Sequence, residues 1–274
     1  MSSAPSPRAT WSNLMPRRRL DSELVRRGLV SSRTRAAEAI AEGRVAVAGA
    51  PAASPARQVQ PGDPITVDGP GPRFVSRGGD KLDAALTAFA LDVHGQRCLD
   101  AGASTGGFTD CLVQRGADHV YAVDVGRGQL AWSLRGDARV TVLERTNVRH
   151  LEPATLGGTV PITVADLSFI SLLTVAPALA RCTRPDGDLV LLVKPQFEAG
   201  RQHVGRGGVV RDPAVHGDVL VSVTEGLARS DIVVVDATTS PLRGADGNRE
   251  FFVHGRHHGV PVTTEQLLDL VHTS

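Results

Sequence analysis

Of the 30 basic side chains in this 274-residue chain, only Lys81 and Lys194 are lysines, and all the others are arginines. Surface Arg and Lys often exchange, so a chain this biased toward Arg keeps Lys mainly where an ammonium does what a guanidinium cannot. Losing a proton is the obvious difference, because burial can bring a lysine pKa into the working range while Arg stays charged. Acids stand at matching places in the pattern. Asp166 closes the apolar run from Pro161, Lys194 follows the run Asp188 to Val193, and Glu250 opens the run Asn248 to Val253. Open α/β sheets bind ligands at the carboxyl ends of their strands, so the pattern predicts Asp166 and Lys194 at one crevice. Lys81 is predicted on the first turn of a helix whose Leu82, Ala85, Leu86 and Phe89 share a face. A cation there opposes the helix dipole, which needs a neighbouring acid or a function to offset it.

The element that must position this set is the stretch Cys98 to Phe108. A short apolar strand ends in Asp100, and a turn of Gly102, Ala103, Ser104, Thr105, Gly106 and Gly107 opens a helix with Phe108, Leu112 and Val113 on one side. Glycines let the backbone approach a ligand, and free amides at a helix start can meet polar groups. The nicotinamide fingerprint needs a second glycine where Ser104 stands, so it fails. The spacing Asp-x-Gly-x-x-x-Gly-Gly is the one that S-adenosylmethionine enzymes carry. His119 to Asp124 reads as the next strand, placing Asp124 to accept the ribose hydroxyls of the adenosine. Val140 to Glu144 follows, with Asn147 near its end as an adenine partner, and Ile232 to Ala237 and Asn248 to Val253 complete seven strands. The expected class is α/β, a doubly wound, mostly parallel Rossmann-like sheet.

In front of it lies a different composition. Residues 1–16 read as a disordered leader, 17–68 as a small α+β module, 69–77 as a Gly-Pro linker and 78–274 as the catalytic domain. In the module, Leu20, Leu24, Val25 and Leu29 recur at helical spacing, Ser31 or Ser32 can cap a second helix from Arg33 to Glu42, and short strands follow at Val45 and at Ile65. From Arg17 to Arg77 eleven arginines face six acids, whereas residues 78–274 hold 18 basic groups against 23 acids. Arg17, Arg18, Arg19, Arg33, Arg35 and Arg44 make the module a basic platform suited to RNA phosphates. Arg206 and Arg211, in the loop Gly205 to Arg211, either grip further phosphates or sit on a plain connector. Cys98, Cys111 and Cys182 never pair as C-x-x-C, which suits a reducing cytoplasm and suggests no zinc ribbon. The His254, His257, His258 cluster lacks ligand partners at useful spacing and reads as a solvated face, so no metal is expected. No signal peptide or membrane-length apolar run occurs in the sequence.

Two resemblances sharpen this. Arg19 to about Val67, with Arg-Leu-Asp-x-x-Leu-Val-x-x-Gly-Leu, Ser-Arg-x-x-Ala, Gly-x-Val-x-Val-x-Gly and Pro-Gly-Asp, resembles the RNA-binding module first described in a small-subunit ribosomal protein. The following domain resembles the FtsJ-like ribose methyltransferases, whose Lys, Asp, Lys, Glu tetrad falls on Lys81, Asp166, Lys194 and Glu250. The span from Arg19 to about His258 resembles the TlyA family, on Phe74 to Leu82, Asp100 to Thr109, Val193 to Glu198 and Gly247 to Phe251. That resemblance implies S-adenosylmethionine as cofactor and the 2′-hydroxyl of a ribosomal RNA cytidine as substrate. It implies that Lys194 serves as base or cationic stabiliser, that Asp166 orients it and the methionine end, and that Lys81 steadies the hydroxyl with Glu250 holding it. Both roles of Lys194 are open on these residues. Base methylation would call for Asn-Pro-Pro-Tyr where Asp166-Leu167-Ser168-Phe169 stands, and carbon methylation for a better placed thiol than Cys182. A non-catalytic RNA-binding assembly factor is the competing reading. The family's haemolysin label finds no support in the sequence, which shows no secretion signal and no barrel-type strands.

Overall fold

The computed structural model describes residues 17–30, 32–69, 71–244 and 246–272. The expected leader, Ser31 as a helix cap and Pro70 of the linker lie outside the described residues. The chain divides into two compact units, Met1–Gly71 and Pro72–Ser274. Phe74, 2% exposed, already packs in the core of the second unit, and helix begins at Arg77, so the latter half of the expected linker is structural.

The first unit runs β1 (Arg18–Arg19), α1 (Leu20–Arg26), α2 (Arg33–Ala41), β2 (Val45–Val47), β3 (Ala50–Pro51), β4 (Gln58–Val59) and β5 (Ile65–Val67). Leu20 and Leu24 on α1 meet Ala36 and Ile40 on α2 over Val45 and Val47. Ser32 caps α2 by accepting from the Arg35 amide. Leu29 is a correction: it falls beyond the end of α1 and is 40% exposed. The short pair β1 with β4 was not legible, since two-residue strands have no periodicity to read.

The second unit continues with α3 (Arg77–Ala88), β6 (Arg97–Ala101), α4 (Gly107–Gln114), β7 (His119–Val123), α5 (Trp132–Arg135), β8 (Val140–Leu143), β9 (Val160–Ala165), α6 (Leu172–Cys182), β10 (Thr183–Val193), α7 (Pro195–Glu198), α8 (Pro213–Ala228), β11 (Val233–Thr239), β12 (Phe251–Arg256) and α9 (Thr264–His272). Its seven strands lie in the order β11-β12-β10-β9-β6-β7-β8. Five run parallel, while β12 pairs antiparallel with both β10 and β11. The alternation of side chains along each strand feeds two separate cores. Leu99, Leu189, Leu191, Phe251 and Val253 face α6 and α8, and Cys98, Val190, Leu192 and Phe252 face α3 and α4. Burying each such side chain stabilises the fold by about 1.5–3 kcal/mol.

Strand order reverses between β6 and β9, and the crevice expected at such a switch point opens there. Lys81 is the fifth residue of α3, one turn further in than expected, because Gly78 and Gly79 are helical. A Cβ on Gly79 would collide with Phe74, so the glycine admits the aromatic ring that plugs this helix start. Glu250 immediately precedes β12, which begins at Phe251, three residues later than the sequence suggests.

Candidate active site at the strand switch point

Gly102 follows β6 with φ +93°, where a Cβ would run into the Asp166 carbonyl. Gly106, φ +97°, ends the turn, and a Cβ there would collide with Leu134 and reach within 2.9 Å of Leu130. These two positions need glycine for both backbone and space. Within the turn, the amides of Gly102 and Ala103 donate to the Val123 carbonyl, and that of Ser104 donates to Asp124 Oδ2 at 2.8 Å. Asp124 Oδ1 accepts from the Gly126 amide at 2.6 Å. Each oxygen keeps a lone pair for a hydroxyl. Asn147 Oδ1 accepts from the Arg149 amide, which leaves its amino group as the donor for a ligand.

A cleft of about 510 Å³ lies above this turn, lined by Gly102, Ser104, Asp124, Asn147, Asp166 and the exposed Val125 among others. A second cavity, about 160 Å³, continues it and brings Lys81, Asp166, Lys194, Gly107 and Phe108 together. Lys81 Nζ donates to Glu250 Oε2 at 2.5 Å across 169 positions of sequence, and the two side chains are only 10% and 2% exposed. Lys194 Nζ stands 2.5 Å from Asp166 Oδ1, a charge contact off the hydrogen-bond directions, and donates to Ser168 Oγ at 3.0 Å. The tetrad expected from sequence is thus two ion pairs, one buried and one at the cavity wall. Beneath them Asp100 is fully buried; its Oδ2 accepts from Thr109 Oγ1 at 2.6 Å and its Oδ1 has no hydrogen-bond partner among the described residues. Burial pushes its carboxyl up to about 7, against the pull of Thr109.

Three side chains at the site were missed by the sequence reading. Ser168 is the hydroxyl partner of Lys194. Phe169 is 92% exposed in left-handed backbone, φ +65°, with its ring centroid 5.4 Å from that of Phe197. The third, Glu198, is a partly buried carboxylate on α7. An exposed aromatic in a strained conformation was the available signal, but nothing in sequence marks exposure. Phe169 and Phe197 border a further cavity of about 390 Å³ that also reaches Lys194, Gly208, Asp246 and Glu250.

The arginine platform is more committed than composition implied. Arg19 and Arg33 both pair with the buried Asp21, Arg35 pairs with Glu38 and Arg44 with Glu42. Arg17 and Arg18 are exposed with no acid partner among the described residues. Arg206 and Arg211 are exposed, on a loop fastened by the fully buried Asn248, which accepts from the Val210 amide and donates to the Gly208 carbonyl, each at 2.9 Å. His254 corrects the expected solvated cluster: it is 8% exposed and lies 2.7 Å from Asp188. Burial pushes the thiols of Cys98 and Cys111 up to about 12, the wrong direction for nucleophiles.

The sheet order and the glycine turn are those of a doubly wound methyltransferase fold. Residues 74–257 match the FtsJ-like methyltransferase model, and residues 18–65 match the S4 domain. A protein of Mycobacterium tuberculosis named 16S/23S rRNA (cytidine-2'-O)-methyltransferase TlyA is 55% identical over 238 residues, 86% of this chain and 89% of that protein. A protein named Hemolysin A from Brachyspira hyodysenteriae is 38% identical over 86% of this chain and 98% of its own length. A solved structure of a hemolysin-named protein from Streptococcus thermophilus superposes with TM-score 0.76 at 39% identity, covering 94% of this chain and 95% of that one. This chain belongs to the FtsJ-like methyltransferase family, in its S4-bearing TlyA branch.

Proposed function

We propose that this chain methylates the ribose 2′-hydroxyl of a cytidine in ribosomal RNA, with S-adenosylmethionine as methyl donor. The observation that supports it best is the convergence of Lys81–Glu250 and Lys194–Asp166 on one cavity continuous with the glycine turn. The 510 Å³ cleft is of cofactor size, Asp124 keeps lone pairs for two hydroxyls, and Asn147 offers an amino donor. When bound, the cofactor supplies an electrophilic methyl on a sulfonium.

The protein's part is to make a ribose hydroxyl nucleophilic. Lys194 takes the hydroxyl proton when neutral and stabilises the developing alkoxide when protonated, with Asp166 and Ser168 fixing its direction. Lys81, held by Glu250, steadies the same oxygen from α3. Phe169 offers a ring face to a base drawn out of its stack, in the cavity bordered by Phe197 and Asp246. The S4 module contributes phosphate contacts from its free arginines, and Arg206 and Arg211 add to them from the second unit.

The test is transfer of labelled methyl from S-adenosylmethionine to unmodified small and large ribosomal subunits by wild type and Lys194→Arg, with the product mapped by ribose-specific chemistry. Wild type is expected to label a cytidine 2′-hydroxyl. The Arg variant keeps the charge and cannot accept the proton, so a fall of at least about 100-fold in kcat with unchanged cofactor binding assigns the base role. Comparable activity assigns Lys194 as a cationic stabiliser instead. A wild type that binds subunits and transfers nothing overturns the enzyme reading in favour of an assembly factor.

A further inference from the structure

The two catalytic loops are not independent, and the residue joining them makes no contact with the reacting groups. One loop runs from Asp166 to Ser171 between β9 and α6, and the other from Lys194 through α7 to Glu198. They meet in register: Lys194 touches Asp166 and Ser168, the rings of Phe197 and Phe169 lie 5.4 Å apart, and Glu198 reaches the start of α6. There Glu198 Oε1 accepts from the Leu172 amide at 2.7 Å and Oε2 accepts from Ser171 Oγ at 2.6 Å, while Ser171 Oγ itself accepts from the Leu173 amide at 3.2 Å. The first amides of a helix have no partner within it, so an α6 start capped from 26 positions away is a bond between loops as much as a helix cap. Nothing closer in sequence takes the Leu172 amide, because the local cap, Ser171, is already used on Leu173.

We infer that Glu198 is a positioning residue for methyl transfer: by clamping the Lys194 loop to the α6 start it holds Lys194 against Asp166 and Phe169 against Phe197. This rests on the proposed methyltransferase function and goes beyond the tetrad. Hydrogen bonds alone set Glu198 apart from a core filler. It also borders a surface cavity of about 230 Å³ with Ser171, Asp218 and Ser222, so removing its carboxylate opens a route for a small anion to take its place.

The experiment compares the full-length wild type with Glu198→Ala, Glu198→Gln and Ser171→Ala. Amide hydrogen exchange, which needs no activity, reads the clamp directly: exchange across residues 166–173 is expected to rise in Glu198→Ala and to stay near wild type in Glu198→Gln, whose carboxamide accepts from Leu172 and donates to Ser171. Methyl transfer reads the consequence. A slackened clamp displaces Lys194 by a fraction of an ångström or more, so kcat is expected to fall about 10- to 100-fold with cofactor affinity unchanged. Glu198→Gln and added acetate with Glu198→Ala are each expected to restore most of it. Ser171→Ala removes one of the two contacts and should fall between, which keeps the test open if Glu198→Ala does not fold. Faster exchange in Glu198→Ala with wild-type kcat overturns the positioning role, and so does loss of activity that neither glutamine nor acetate rescues. A wild type without methyl transfer defeats the proposed function instead, and the exchange comparison then reports on the clamp alone.

Discussion

Lys81 and Lys194 share one cavity and differ in what neutralises them. Lys81 sits with Glu250 in a nearly dry pair, where removing one partner strands the other charge, whereas Lys194 meets Asp166 at the cavity wall with a hydroxyl alongside. Beneath both, Asp100 makes a prediction of its own. Its carboxyl is pushed up by burial to about 7, so the folded state holds its proton while the unfolded chain has released it above about pH 4. Its contribution therefore favours folding below that point and is lost as pH rises toward 7, by up to about 4 kcal/mol on the constant of 1.36 kcal/mol per unit. Chemical denaturation of Asp100→Asn across pH 4 to 7 should show a flatter stability profile than wild type. An unchanged slope would mean that Asp100 is solvated in solution.

At the scale of elements, the turn between β6 and α4 has the least freedom to vary. Gly106→Ala would place a methyl against Leu134 and Leu130 at a φ of +97°. The expected result is about 1–3 kcal/mol lost from the second unit, read as a lower Tm, together with weakened cofactor binding, since Ser104 and Gly102 belong to the same turn. Calorimetric titration with S-adenosylmethionine checks the second part; wild-type affinity and Tm would show that the turn relaxes. The helix starts carry a related lesson. α2 is capped from its neighbour Ser32, which its own sequence advertises, while α6 borrows Glu198, which only the fold supplies.

For the whole molecule, the division into a basic S4 module and a net acidic catalytic unit separates binding from chemistry. Six of the module's arginines already neutralise acids, two of them the same Glu23 and two the same Asp21, whose carboxyl they hold well below its ordinary range. Free charge on that unit therefore rests mainly on a few residues, Arg17 and Arg18 among them. Replacing both by Glu should weaken RNA binding, lower the slope of log affinity against log salt by about 2, and leave cofactor affinity untouched. Filter binding at several salt concentrations measures it, and an unaltered slope would move the phosphate contacts elsewhere.

The class of fold was legible in the linear chain, because a glycine turn after a buried strand and apolar runs ending in Asp or Lys are local patterns. The arginine bias made the two lysines visible for a related reason: composition is a property of the chain alone. What only the tertiary structure decided is pairing. Lys81 and Glu250 stand 169 positions apart, Glu198 and Leu172 26 apart, and Arg33 reaches back to Asp21. Such contacts are set by strand order and crossovers, not by any period a sequence can show. Exposure was hidden in the same way, since Phe169 on the surface and Phe108 in the core are the same letter until the sheet has buried one of them.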